Sequence, residues 1–209
     1  MAARDLDSPW KEVVDHHLPA ILALLAPEVH ADIDWARDVE PLEQELRKMA
    51  PEGETGKRHA DKLLKVRAKT GDERYLHVEV QAQPQEGFER RVFVYHYRGD
   101  DRFGLPPEAV VILADDDPDW RPTRYAVQLR RTRLTFEFDP VKLLDWDGRK
   151  DELRGHANPA ALFVLAHLES RRTAGDDAER ARVKLDLILR LHARKLDAEE
   201  LRHWYRYLD

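Results

Sequence analysis

A chain of 209 residues with no cysteine, 36% charged side chains and a formal charge of −6 is long enough for one domain that buries roughly 70% of its unfolded surface. It has no thiolate chemistry, no Cys-ligated zinc and no iron–sulfur cluster. Its longest apolar run, Leu18 to Ala26 interrupted by Pro19, is well short of the roughly 18 residues that a membrane span takes, and the acidic start MAARDLDSPW lacks the basic and apolar regions of a secretory leader, so a cytoplasmic protein is expected.

Along the chain, Ser8-Pro9 reads as a cap and first helical position. Val13, Val14, His17, Ile21, Leu24 and Leu25 then share one face of a helix over about 9–26, which Pro27 stops. Glu40 to Met49 is a weaker helical segment ended by Pro51-Glu52-Gly53. His59–Ala68 and Tyr75–Ala82 alternate with period 2 around Thr70-Gly71-Asp72 and predict a β-hairpin. Phe88–Phe103 is helical, with Phe88, Val92, Tyr95 and Gly99 on one stripe. Ala109–Ala114 is a short apolar run expected as a buried strand. Arg124–Leu129 and Arg133–Phe138 are further strand candidates, and everything beyond about 155 is helical: Asn158 to Leu168, Ala178 to Arg194, and Ala198 to Leu208 capped by Asp197. This order predicts an α/β sandwich.

The negative charge argues against a phosphate-backbone partner. Yet residues 1–50 hold 5 basic and 11 acidic side chains, a balance of −6 that accounts for the whole deficit. Lys57, Arg58, Lys62, Lys65, Arg67 and Lys69 instead crowd around a single acid, Asp61. Side chains alternate across a strand, so Leu64, Val66 and Ala68 share a face with Leu76, Val78, Val80 and Ala82. Asp61, Leu63, Lys65 and Arg67 share the other with Tyr75, His77, Glu79 and Gln81. A three-residue loop pairs Lys69 with Glu73 and sets Asp61 across from Gln81 and Leu63 across from Glu79. Asp61, Glu79, Gln81 and Lys65 then converge, within the roughly 7–8 Å of diagonal neighbours. Two carboxylates at that spacing suit a hard divalent ion that activates water for phosphodiester hydrolysis.

Asp61, a hairpin and then Glu79-Val80-Gln81 resemble the D…(D/E)xK signature of the PD-(D/E)xK nuclease superfamily in an E-x-Q form. The ordered blocks DSPWKE (7–12), ELRK (45–48), KRHADKLLKV (57–66), HVEVQAQ (77–83), FERRVFVYHYR (88–98), LADDDPDWRP (113–122) and FEFDPVKLLDW (136–146) are similar to the Rpn-type recombination-promoting nucleases and transposases of bacteria. The resemblance implies a restriction-endonuclease-like α/β core over 1–150, with a central mixed sheet flanked by helices. Residues 151–209 would form a helical extension packed on the core or on a second subunit, with a homodimer through the C-terminal helices. It implies DNA as substrate, Mg2+ or Mn2+ as cofactor, and a link to recombination or transposition. Asp61 and Glu79 match the metal-binding acids. Gln81 stands where most of the superfamily has lysine, so it orients water without adding a cation, and Ala60 replaces the proline before the aspartate. Glu45 is the candidate third acid, with Glu40 and Glu43 as alternatives. Lys57, Arg58, Lys65, Arg67, Arg90 and Arg91 are candidate DNA contacts. A catalytically silent relative that binds DNA or protein is the competing expectation.

Other signals have plainer accounts. Lys–Glu ladders on a solvated sheet face stabilise by a few tenths of a kcal/mol. The His77-x-Glu79 pair lacks the P-C-x-x-C partner of zinc deaminases. His16, His17 and His30 read as surface or cap histidines, and Asp115-Asp116-Asp117 as a solvated turn. The arginines at 90 and 91 would snorkel from a helix whose aromatics face the core. A second basic cluster, Arg121, Arg124, Arg130, Arg131 and Arg133, fits either phosphate contact or simple solvation. Trp204, Tyr205 and Tyr207 read as a packing face.

Overall fold

A computed structural model describes residues 7–49 and 62–207. The first helix, α1 (Asp7–Leu25), contains Pro19 and bends at His17, whose φ of −131° and ψ of 26° are non-helical. A proline inside a helix removes one hydrogen bond and crowds the preceding turn, which accounts for the bend. Pro27 stops this helix as expected but also opens another, α2 (Pro27–Asp32), at whose start its missing N–H costs nothing. The segment 40–49 divides: Glu40–Pro41 is a short edge strand, β1, and only Glu43–Met49 is helix, α3.

The central sheet holds β1, β2 (Lys62–Arg67), β3 (Glu73–Gln81), β4 (Glu108–Leu113) and β7 (Val141–Lys142) in that spatial order. The first three strands run antiparallel, whereas β3, β4 and β7 are parallel. The crossover between β3 and β4 is α4 (Phe88–Phe103), as its sequence stripe predicts. Gly99 in α4 is required by close approach, since a Cβ there would overlap the ring of Pro107. The strand candidates near 124 and 133 form their own two-stranded sheet, β5 (Arg124–Gln128) and β6 (Arg133–Glu137). After β7 a 3-10 turn (Leu143–Arg149) and α5 (Lys150–Gly155) lead to α6 (Ala160–Arg172), α7 (Asp177–Ala193) and α8 (Ala198–Tyr207). Asp197 caps α8 as expected, its Oδ1 accepting from Glu199 N at 2.8 Å and Glu200 N at 2.9 Å.

The fold is therefore α/β, a mixed five-stranded sheet flanked by helices. On one side, Leu64, Val66, Leu76, Val78 and Val80 join Trp10, Ile21 and Leu22 of α1, Phe163 and Leu165 of α6, and Trp204 of α8 in a continuous core. On the other, Phe88 and Val92 of α4 pack on Val111 and Leu113, while Tyr95 packs with Leu46, Met49 and Leu63. Each fully buried aliphatic or aromatic side chain of this kind contributes about 1.5–3 kcal/mol. Among the described residues no helix is long and apolar enough to cross a membrane.

The C-terminal helices are fastened to α1 rather than left open. His17 stacks on Trp204 with ring centroids 4.2 Å apart, and Trp10 meets Phe163 edge-on at 4.7 Å. Trp204 and Tyr207 are thereby buried within the chain. His167 of α6 bridges the layers. Its Nε2 lies 2.9 Å from the carbonyl oxygen of Ala114, which can only accept, and Trp10 Nε1–H, which can only donate, lies 3.4 Å from its Nδ1. These partners select the neutral Nε2–H tautomer. Burial pushes His167 down to about 4. The unfolded chain therefore takes up a proton below about pH 6.5 that the folded chain refuses until about 4. Stability falls as pH drops through that window, by up to about 3 kcal/mol. Urea unfolding at pH 7 and pH 5 should show much of this loss, and His167→Gln should reduce the pH dependence, leaving the part due to His17, which burial also pushes down to about 4.

Candidate functional site

The hairpin pairs Arg67 with Glu73, Lys65 with Tyr75, Leu63 with His77 and Lys62 with Val78. This register is two residues away from the expected one, so Leu63 does not face Glu79. The cause lies outside the hairpin. Ala68 bridges to Ile33, and Lys69 N donates to Asp32 O at 2.8 Å. Lys69 is thereby held outside the hairpin, which closes with Ala68 N donating to Asp72 O at 2.8 Å, so the three-residue loop is Lys69-Thr70-Gly71, one residue earlier than expected, with Gly71 at a φ of 95°. A slip of two conserves the faces, so His77, Glu79 and Gln81 still share one side of β3.

That side is closed. α4 lies across it, and His77, Glu79 and Gln81 are 1%, 0% and 5% exposed. Arg91 of α4, 2% exposed, supplies the compensating charge. Its Nη2 donates to Glu79 Oε1 and, at 2.7 Å, to Gln81 Oε1, while Nη1 donates to Gln85 Oε1 at 2.6 Å. The guanidinium carbon lies 5.1 Å from the centroid of the Phe88 ring. Gln81 Nε2 donates in turn to Gln83 O at 2.6 Å, which orients the amide. His77 Nε2 is 3.4 Å from Glu79 Oε2, and its ring lies 4.5 Å from that of Tyr95. A buried carboxylate is tolerated only when paired and hydrogen-bonded, and the guanidinium fork meets both the acid and the amide of the E-x-Q motif.

Other predicted residues fall elsewhere. Asp61, Lys57 and Arg58 lie outside the described residues. Lys65, expected beside Glu79, pairs with Glu73 at 2.7 Å, and Arg67 donates to Gly71 O at 2.7 Å. The altered register places Lys65 opposite Tyr75, about 13 Å along β3 from Glu79. Glu45 accepts from Lys48 at 2.9 Å and pairs with Arg102. These two partners hold its carboxyl below the usual range, the Lys48 hydrogen bond being the larger cause. Arg102 is eleven residues beyond Arg91 on α4, about 16 Å along the axis, so Glu45 is held away from Glu79. Glu43 meets Lys62 Nζ at 3.5 Å, and Asp15 of α1 pairs with the same Lys62, whose position on β2 shares a face with Val78 and not with Glu79. Arg90 is exposed. Arg91, expected on DNA, is instead the buried partner of Glu79. Its position on the apolar stripe of Phe88, Val92 and Tyr95 is the sequence signal, since a cation there must find a buried acid.

A second buried charge pair adjoins the first. Ala114 N donates to Gln81 O at 2.8 Å, so the next residue, Asp115, continues the neighbouring strand. Asp115 is fully buried, not part of a solvated turn, and accepts from Lys142 Nζ at 2.6 Å. Lys142 also donates to Asp117 O at 2.7 Å and Trp120 O at 3.1 Å. Arg171 donates to Asp115 O at 2.8 Å and pairs with Asp116 at 2.9 Å. Nothing in the sequence pattern links Asp115 to Lys142, although a lysine between Val141 and Leu143 is a buried cation in waiting.

Comparison with protein-family models, curated proteins and solved structures gave no match.

Proposed function

We propose that this chain is a divalent-metal-dependent DNA endonuclease of the Rpn-like PD-(D/E)xK type, with a restriction-endonuclease-like core. The observation that carries the reading is Glu79-x-Gln81 at the end of a central strand, held by Arg91, with Lys62, the residue after Asp61, paired to Val78, the residue before Glu79. Among the described residues no group of three His, Cys, Asp or Glu could hold a metal, so the described set alone does not make the ion site and the assignment depends on Asp61 joining Glu79. Mg2+ or Mn2+ so held supplies an acidified water and charge neutralisation at the phosphate. Arg91 fixes Glu79, and Gln81 positions a water by its amide. A homodimer stays part of the proposal, with the exposed Leu185 and Leu189 of α7 as its apolar surface.

The second reading, a silent DNA- or protein-binding relative, is favoured by one observation: a single guanidinium engages the acceptors of both Glu79 and Gln81. Plasmid nicking in Mg2+ or Mn2+ separates the two. Asp61→Ala and the nearly isosteric Glu79→Gln should each lower nicking by about 10- to 100-fold, the scale for weakening a metal site. Nicking unchanged by both substitutions overturns the endonuclease assignment. DNA binding by the wild type without metal-dependent cleavage establishes the second reading.

A further inference from the structure

The β5–β6 ribbon pairs with no strand of the central sheet. Its inner face, with Tyr125 and Phe136, is half-buried on α4, where Phe93 lies 5.1 Å from Tyr125 and 5.7 Å from Phe136. Its base is fixed by Phe138 N donating to Thr123 O at 3.0 Å and by the Lys142 bonds to the segment before it. The fork of Arg121 on Asp145, at 2.6 and 3.0 Å, adds a further tie. The tip is closed by Leu129 N donating to Thr132 O at 2.8 Å. The ribbon is thus a rigid projection, not a loose loop.

Its charge is unlike that of the surrounding surface. Residues 124–137 hold four arginines and one acid, in a chain whose formal charge is −6. Several exposed arginines elsewhere are neutralised, Arg37 by Asp34, Arg149 by Glu152, and Arg172 by Glu169 and Glu179. Arg124, Arg130, Arg131 and Arg133 are all exposed, and none forms an ion pair among the described residues. Leu129, 59% exposed, stands at the tip between them and the strand. Arg90, one turn before Phe93 on α4, is likewise exposed and outside any ion pair among the described residues.

Unneutralised arginines attract phosphate and bind it through a planar fork. A ribbon tip can present side chains alone to the narrow minor groove, and arginine beside an apolar wedge is the chemistry of minor-groove insertion. We propose that the β5–β6 ribbon is a duplex-DNA-binding wing. Arg130 and Arg131 enter the minor groove with Leu129 between base steps, and Arg124, Arg133 and Arg90 hold the flanking phosphates. The assignment rests on the DNA-substrate reading above and adds to it a second contact that needs no metal.

The test is binding of a short fluorescent duplex across a salt series in EDTA, by wild type and by Arg130→Ala/Arg131→Ala. Both positions are exposed at a turn, and circular dichroism checks that the fold is kept. The double variant should bind about tenfold or more weakly, with the slope of log affinity against log salt shallower by about two. Leu129→Ser should weaken binding without changing that slope. Equal binding by wild type and double variant overturns the wing. So does a wild type that binds polyglutamate or single-stranded RNA but no duplex. Nicking and binding are read separately: a wing-dependent wild type that never cleaves overturns the endonuclease reading alone, and a nicking enzyme indifferent to the double substitution overturns the wing alone.

Discussion

Arg91→Met is expected to destabilise the protein by about 3–5 kcal/mol, the cost of stranding a buried charge. Methionine fills the space beside Phe88 and Val92 but leaves the Glu79 carboxylate, fully buried in β3, without the guanidinium that compensates it. Gln81 and Gln85 lose the same donor. Adding Glu79→Gln to Arg91→Met should recover a large part of the loss, because a neutral amide costs far less to bury than a carboxylate. Urea unfolding of the two single variants and the double variant gives the coupling directly. An Arg91→Met protein within about 1 kcal/mol of wild type would show that the pair compensates little.

Lys142→Met should cost a comparable 3–5 kcal/mol for the same reason applied to Asp115. Its consequence is more local. Lys142 Nζ holds the Asp115 carboxylate and the carbonyls of Asp117 and Trp120, so one ammonium closes the segment that leads from β4 into the β5–β6 ribbon. Hydrogen exchange should therefore rise first at residues 116–122 in the variant, while α1 and α6, packed on the opposite face of the sheet, keep their protection. A variant with wild-type urea midpoint and unchanged exchange in that segment would refute the clamp. The two pairs together explain how the centre of the sheet carries Glu79 on β3 and Asp115 just beyond β4 in the interior: each acid has one cation from a different element.

These two predictions concern residues whose partners were not visible along the chain. Period-2 alternation was sufficient to put His77, Glu79 and Gln81 on one face, because that face follows from backbone geometry alone. It left the face looking solvated. Only α4 lying across it buries the three residues, and only the compensation of a buried carboxylate turns Arg91 from a surface arginine into the centre of the network. The predicted loop failed for a related reason. Thr70-Gly71-Asp72 is a good turn, but Lys69 is claimed by Asp32 and the hairpin closes one residue earlier, with Ala68 N on Asp72 O, and a turn signal carries no knowledge of a competing partner more than thirty residues earlier.

The amino-acid sequence by itself determined the elements with strong local periodicity: α4 over Phe88–Phe103, the apolar strand before Asp115, the Asp197 cap and the parity of the hairpin. It also located the acidic balance in the first fifty residues and the arginines of the ribbon, without deciding which cations are neutralised. Tertiary structure decided that. Most arginines find a carboxylate across space, Lys142 and Arg91 are consumed in the interior, and the ribbon keeps a net positive charge because four arginines stand against one acid, Glu137 across from Arg124, and none of the four forms an ion pair among the described residues. Propensity and periodicity act over a few residues, whereas the cost of burying an unpaired charge is settled between groups 12 and 27 positions apart, and so belongs to the fold rather than to any segment of it.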